Sequence, residues 1–386
     1  MKKLKVMTIF GTRPEAIKMA PVVKELQKQE KVDSIVCVTA QHREMLDQVL
    51  KVFEIIPQYD LNIMQNRQTL IDITSRALKG LSKVIEEEKP DIVLVHGDTT
   101  TTFVGSLAAF YNKVAVGHVE AGLRTFDKYF PYPEEMNRRL TGTLADYHFA
   151  PTVSNKANLL NEGVKEDRIS VTGNTVIDAL KTTVNKEYIF ENKILKNINF
   201  GKSRVITVTA HRRENLGEPL VNICKALKGI ADKYADVEVV YPVHLNPMVQ
   251  EVVKSILGGN SRVHLIEPIG VQDMHNLMER SNFVMTDSGG LQEEAPSLGK
   301  PVLVLRNETE RPEAVDAGTV KLAGTDEDRI FEIASILLED QAKYNEMAKA
   351  VNPYGDGMAS QRIVNRLLYE YGYSSKLMDM FYHKEN

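Results

Sequence analysis

Short apolar runs rich in Val and Ile alternate along the chain with longer segments whose apolar residues recur at helical spacing. The order is "LKVMTIF", a helical stretch over Ala16 to Gln29, "SIVCVTA", helical patterns over Arg43 to Phe53 and Leu70 to Glu88, then "DIVLVH", "VAVGHV" and "YHFA". Continuous β-branched runs belong to strands covered on both faces, as in a parallel sheet between helices. After "VTGNTVIDAL" the alternation restarts with "RVITVTA", "VEVVYPV", "RVHLIE", "NFVMTD" and "PVLVL", each followed by a helical segment. A restart predicts a second α/β domain rather than a wider sheet, with the boundary near Thr172 to Asn174. The lysine- and asparagine-rich "NKEYIFENKILKNINFGK" is expected to be a surface excursion. A last helix, Gln361 to Tyr371, either ends the second domain or crosses back to the first.

Length agrees: 386 residues suit two domains at roughly 100 to 200 residues each. A net charge of -4 offers no basic footprint for nucleic acid or an anionic membrane, so an anionic ligand has to be met by local groups. No apolar stretch approaches the ~20 residues of a membrane span, and the first apolar run stops at Gly11 and Thr12, short of a secretory h-region. Cys37 and Cys224 lie in apolar or helical runs without zinc spacing, which fits buried thiols of a reducing compartment and predicts a cytoplasmic protein.

In open α/β sheets ligands bind beyond the carboxyl ends of the strands, so the residues after each apolar run carry the candidate chemistry. In "FGTRPEAIK", Gly11 or Thr12, Pro14 and Glu15 suit a helix start, which leaves Arg13 and Lys18. Cations there oppose the helix dipole and point to an anionic partner, although the stretch is neither a Walker loop nor a dinucleotide fingerprint. "VLVHGDTTTT" and "VAVGHVEAGLR" place His96 with Asp98 and His118 with Glu120, each pair on one strand face if the strand persists. Metal ligation, helix capping by Asp98 and acid–base catalysis compete there; no further metal ligand shows regular spacing. Glu134 and Glu135 follow Pro133, where dipole stabilisation accounts for one of them and a third catalytic carboxylate is the alternative for the other.

In the second half, "TAHRRENLG" puts His211 and Arg212 at the position equivalent to Arg13, and His244 follows the next strand. In "TDSGGLQEEAPSLGK", Ser288, Gly289 and Gly290 open a helix whose N-terminus suits a phosphate. Glu294, one turn in, suits ribose hydroxyls, Pro296 predicts a short or kinked helix, and Arg311 offers a second phosphate contact.

The blocks "FGTRPEAIKMAP", "HGDTTT", "HVEAGLRT", "PEEMNRR", "GNTVID", "HRRENLG", "DSGGLQEEAPSLGKPVLVLR", "TERPEA" and "NPYGDG" together resemble, in order and over nearly the whole chain, the non-hydrolysing UDP-N-acetylglucosamine 2-epimerases of bacterial cell-envelope biosynthesis. The resemblance implies a GT-B fold, two Rossmann-like domains facing a cleft: residues 1–173 completed by a C-terminal helix in 358–386, and a UDP-binding domain over 174–357. It implies that Ser288, Gly289, Gly290 and His211 meet the diphosphate, Glu294 the ribose, and Arg13 and Arg311 the same diphosphate. Asp98, Glu120 and Glu134 match the family's acid–base carboxylates, and Lys18 lines their face. Gln41, His42, Arg67, Gln68, Glu134, Arg212 and His244 match a second, regulatory UDP-GlcNAc site of some members, with Glu44 departing from the glutamine expected beside it. No cofactor or metal is implied. A homodimer is implied, as is a product feeding wall teichoic acid linkage, capsule or another envelope glycan.

The C2–H of a UDP-sugar is not α to a carbonyl and is barely acidic, so inversion needs a special route. Without an NAD fingerprint, the route that fits is expulsion of UDP from C1 with loss of the C2 proton to give a 2-acetamidoglucal, then re-addition with protonation on the other face. Rivals are a GT-B glycosyltransferase, a hydrolysing epimerase and a nucleotide-sugar sensor without turnover.

Overall fold

The computed structural model describes residues 2–40, 43–65 and 68–382. The chain divides into two units, one taking the residues up to Thr182 and those from Tyr354 onward, the other Thr183–Pro353.

In the first unit the apolar runs become β1 (Leu4–Phe10), β2 (Val32–Val38), β3 (Tyr59–Asp60), β4 (Ile92–His96), β5 (Ala115–Val119), β6 (Tyr147–Ala150) and β7 (Ile169–Val171). They form one parallel sheet in the order β3-β2-β1-β4-β5-β6-β7. Buried side chains cover both faces: Phe10, Met19, Val36 and Leu94 belong to one cluster, Met7, Ile9, Val93 and Val104 to the other. This two-sided cover is why the strands read as continuous apolar runs.

The second unit repeats the plan with β8 (Arg204–Thr209), β9 (Val237–Pro242), β10 (Val263–Ile266), β11 (Phe283–Thr286), β12 (Val302–Val304) and β13 (Val320–Leu322), parallel in the order β10-β9-β8-β11-β12-β13. The same reversal of strand order occurs in both sheets, at β1/β4 and at β8/β11, and defines a switch point in each.

Two details differ from the sequence-based expectations, and the placement of the last helix, left open between two alternatives, is decided as the resemblance implied. The first unit continues past Asn174 through most of the helix Thr175–Thr183, because Asp178 accepts hydrogen bonds from Ala359 N at 3.2 Å and Ser360 N at 2.8 Å and so anchors the start of the returning helix Ala359–Glu370. That last helix crosses back: Ile363, Val364 and Leu367 join Met19 and Val23 in the first unit's core. The stretch expected to be a surface excursion is packed instead, with Phe190, Leu195 and Ile198 buried against Val205, Val240 and Leu277. Buried Asp273 holds it, accepting from Tyr188 Oη at 3.0 Å, Glu191 N at 2.9 Å and Asn192 N at 3.0 Å. Its polar composition hid three apolar anchors spaced along an irregular chain, a pattern with no period to detect.

Candidate functional site

In the first unit the loops after β1, β4 and β5 come together at the carboxyl edge. After β1, Thr12 caps the helix Arg13–Gln27 in a capping box with Glu15, whose Oε2 accepts from Gly11 N at 3.1 Å and Thr12 N at 2.8 Å. The other oxygen of Glu15 accepts from the hydroxyls of Thr99 at 2.7 Å and Thr102 at 3.1 Å. Thr99 is itself the cap of the helix Thr100–Tyr111, so one buried carboxylate ties two helix N-termini at the switch point. Burial pushes the pKa of Glu15 up although its hydrogen bonds from Thr99, Thr12 and Gly11 favour its charged form. Gly11 lies so close to Thr39 and Thr101 that a Cβ there would overlap both hydroxyls.

The strands after which the carboxylates stand do not persist to them. β4 ends at His96 and β5 at Val119, and the next residues, Gly97 at φ +68° and Glu120 at φ +61°, adopt the left-handed region. That conformation is costly for a glutamate, and it breaks the expected sharing of a face between His96 and Asp98 and between His118 and Glu120. His118 points into the fold, its Nε2 bonded to the Gly97 carbonyl at 2.7 Å, and burial lowers its pKa to about 3. His96 is likewise buried and lowered to about 4, its Nε2 3.7 Å from Glu120 Oε2. Both imidazoles are neutral parts of the core at neutral pH.

Asp98 does not cap the helix; Thr99 does, accepting from Thr102 N at 3.1 Å. The Asp98 carboxylate pairs with Arg138 at 2.5 Å. Glu120 pairs with Lys18 and accepts from Asn174 Nδ2 at 2.9 Å. Lys18, whose charge suggested an outside anion, therefore has an internal one. Burial, opposed by Arg138 and reinforced by the charge of Glu120, raises the pKa of Asp98. A carboxyl held high beside one fixed by a lysine is the arrangement that lets two acids take opposite roles. Arg138→Gln removes the opposing cation, so an NMR titration of the Asp98 carboxyl carbon should move its midpoint further up. An unchanged midpoint would show that Arg138 is not the controlling charge.

Glu134 is the first residue of the helix Glu134–Leu144 and is half-buried. It lies one turn before Arg138, the residue that pairs with Asp98. Glu135 is the structural one of the pair, fully buried and accepting from Thr125 N at 3.1 Å and Phe126 N at 3.3 Å. Arg13 is half-exposed at the first helical position after Thr12. Gln68 precedes the helix Leu70–Glu88 and accepts from Arg76 Nη2 at 2.8 Å. Gln41, His42 and Arg67 lie outside the described residues, as does the side chain of Glu44.

In the second unit the loop after β8 meets the one after β11. Ser288 precedes the helix Gly289–Ser297 without capping it through its hydroxyl, so that group is not spent on the helix end. A point one Cβ from Gly289 is 3.0 Å from Glu310 Oε1, 3.7 Å from Arg212 Nη2 and 3.8 Å from Arg311 Cζ, which sets two guanidiniums at this helix N-terminus. Arg212 pairs with Glu310 at 2.9 Å and Arg311 pairs with Glu293. The cations Arg212 and Arg306 hold Glu310 down to about 2 against its burial. The helix is short and ends one residue after Pro296, in line with the expectation from that proline. Glu294 sets Oε2 3.2 Å from His275 Nε2, and its Oε1 stands beside Gly290. His211 stacks on His244, centroids 4.9 Å apart and planes 8° from parallel.

Sequence reasoning named most of these groups but missed Asp287, Arg138, Glu310 and Asn174 as partners, and read Glu15 only as a helix charge. Two of them carried a signal: Asp287 is a carboxylate ending the apolar run "NFVMTD", and Arg138 stands four residues after Glu134. Asn174 and Glu310 meet their partners only through the fold.

Two doubly wound parallel-sheet units, here with buried acid groups at one switch point and an arginine-flanked helix N-terminus at the other, place the protein in the GT-B fold class of enzymes. A family model described as UDP-N-acetylglucosamine 2-epimerase matches residues 24–368. The UDP-N-acetylglucosamine 2-epimerase of Bacillus subtilis is 62% identical over 381 residues, covering 99% of each chain. A crystal structure of a UDP-N-acetylglucosamine 2-epimerase is similar at TM-score 0.92 and 59% identity, over 99% of this chain and 100% of that one. The UDP-GlcNAc 2-epimerase of Neisseria meningitidis, bound to UDP-GlcNAc, is similar at TM-score 0.84 and 54% identity, over 94% and 99% of the two chains. The chain belongs to the UDP-N-acetylglucosamine 2-epimerase family.

Proposed function

We propose that this protein interconverts UDP-N-acetylglucosamine and UDP-N-acetylmannosamine by inversion at C2 without a cofactor. The observation that carries this reading is the carboxylate pair at the first switch point: Asp98 with a raised pKa beside Arg138, and Glu120 fixed by Lys18 and Asn174. Two acids held in different states suit removal of a weakly acidic proton and its return on the opposite face. In the forward step a carboxylate takes the C2 proton, the C2–H electrons form the C1=C2 bond, and the C1–O bond breaks with its electrons leaving on UDP. Re-addition of UDP to C1 with protonation at C2 completes the inversion. Asp98, Glu120 and Glu134 share these transfers.

The second unit takes the UDP portion. Ser288, Gly289 and Gly290 meet the diphosphate with helix N–H groups together with His211, Glu294 the ribose, and Arg311 the charge that grows on the leaving oxygens, a role the family resemblance also assigns to Arg13. Arg311 and Arg212 are already balanced by Glu293 and Glu310, so a diphosphate exchanges an internal anion for an external one. A second, activating UDP-GlcNAc engaging Gln41, His42, Arg67, Gln68, Glu134, Arg212 and His244, a homodimeric cytoplasmic enzyme, and a product feeding teichoic acid or capsule synthesis belong to the same proposal. They rest on the family resemblance.

Incubation with UDP-GlcNAc in D2O without an acceptor, followed by NMR, should yield UDP-ManNAc carrying deuterium at C2. Free N-acetylmannosamine would identify a hydrolase, and unchanged UDP-GlcNAc would refute the epimerase reading.

A further inference from the structure

Asp287 is fully buried at the tip of β11, yet nothing in the proposed chemistry uses it. Its Oδ2 accepts from His211 N at 2.7 Å, Arg212 N at 2.7 Å and Asn215 Nδ2 at 3.0 Å, so it fixes the turn that presents His211 and Arg212. Its Oδ1 has no hydrogen-bond partner among the described residues and stands 3.8 Å from His211 Nδ1. A buried carboxylate oxygen without a donor is costly, and the imidazole N–H is the donor that a small rotation of His211 brings to it.

The groups around His211 decide what that contact does. His244 lies parallel to it, and His244 Nδ1 accepts from Asn246 N at 3.1 Å, which places the proton of a neutral His244 on Nε2. Two stacked imidazoles resist carrying two positive charges, and Arg212 adds a third cation nearby, itself balanced by Glu310. Burial above all, with His244 and Arg212, pushes the pKa of His211 down, and among these neighbours Asp287 alone favours its charged form.

We propose that Asp287 is a positioning residue that holds the Nδ1 proton of His211, leaving Nε2 as the ring atom presented to an anionic ligand. When His211 is protonated, Nε2–H donates toward the ligand while Nδ1–H remains on Asp287; no bond other than N–H is made or broken. The proposal rests on the proposed function only for the identity of that ligand, a nucleoside diphosphate. The logic is that of an orienting carboxylate behind a histidine, where the second nitrogen's partner sets the tautomer of the first.

The test uses the full-length protein with 15N-labelled histidine, the His211 signals assigned by their loss in His211→Asn. Neutral His211 is expected as the Nδ1–H tautomer. Asp287→Asn keeps an oxygen for the three donors but turns an NH2 group toward Nδ1, so His211 should switch to the Nε2–H tautomer and its midpoint should fall. Turnover should drop about 10-fold or more with a smaller change in KM, and the loss should vanish in a His211→Asn background. A purely structural role would instead leave the two losses additive. If Asp287→Asn does not fold, the wild-type tautomer still decides. An Nε2–H tautomer in the wild type, or a His211 midpoint and tautomer unmoved by Asp287→Asn, overturns the proposal. Lack of epimerase turnover in the wild type would refute the proposed function and leave the tautomer result standing.

Discussion

Glu120→Gln is expected to reduce turnover by about 10²-fold or more, with Asp98→Asn close behind, from the usual contribution of a positioned acid or base. Glutamine keeps the shape of Glu120 and an oxygen for Asn174, so the loss reports the proton-carrying function rather than the local fold. Glu120 is held by Lys18 and Asn174 in a backbone conformation that side chains rarely adopt, which marks a position kept for its direction. The substitution also leaves the Lys18 ammonium without its carboxylate, so a modest loss of stability should accompany it. Steady-state rates with UDP-GlcNAc, read beside thermal melts, separate the two effects. Turnover within about 10-fold of wild type in both variants would remove these carboxylates from the chemistry.

Glu15→Ala should produce the largest loss of stability, about 3 kcal/mol, because it abandons two backbone N–H groups and two threonine hydroxyls in the interior. Glu15→Gln is the discriminating control. Its oxygen serves Gly11 N and Thr12 N, while its NH2 donates to hydroxyls that turn to accept, so the cost should stay within about 1 kcal/mol. The sign with pH is also distinctive. Burial raises the pKa of folded Glu15, so the folded state binds its proton more readily than the unfolded chain. Its contribution grows as pH falls through the folded value and is lost above it, opposite to a carboxylate with a depressed pKa, and Glu15→Gln removes the dependence. Urea unfolding by circular dichroism is the measurement, since the chain has no tryptophan to follow. Equal destabilisation by alanine and glutamine would show that the network is not what Glu15 supplies.

Much of the site was legible because chemistry stands at strand ends, and strand ends are visible in the apolar runs. Asp98, Glu120, His211 and the Ser288 to Gly290 turn all follow such runs. The geometry of those ends was less legible. The expectation that His118 and Glu120 share a face assumed a strand that stops at Val119, and a single left-handed residue reverses where a side chain points. The packed segment with Phe190, Leu195 and Ile198 shows the same limit, since an irregular chain has no period to read.

By itself the sequence determined the two α/β halves, the places where ligand-facing residues gather and, through nine ordered blocks, the family. Periodicity and strand-end chemistry are local properties, readable from neighbours along the chain. The tertiary structure alone decided the partners: Lys18 with Glu120, Asp98 with Arg138, Glu15 across two helix starts, and Asp287 beneath His211. Those pairings join residues far apart in sequence, and pairing energy depends on distance and burial, which exist only once both sheets have formed.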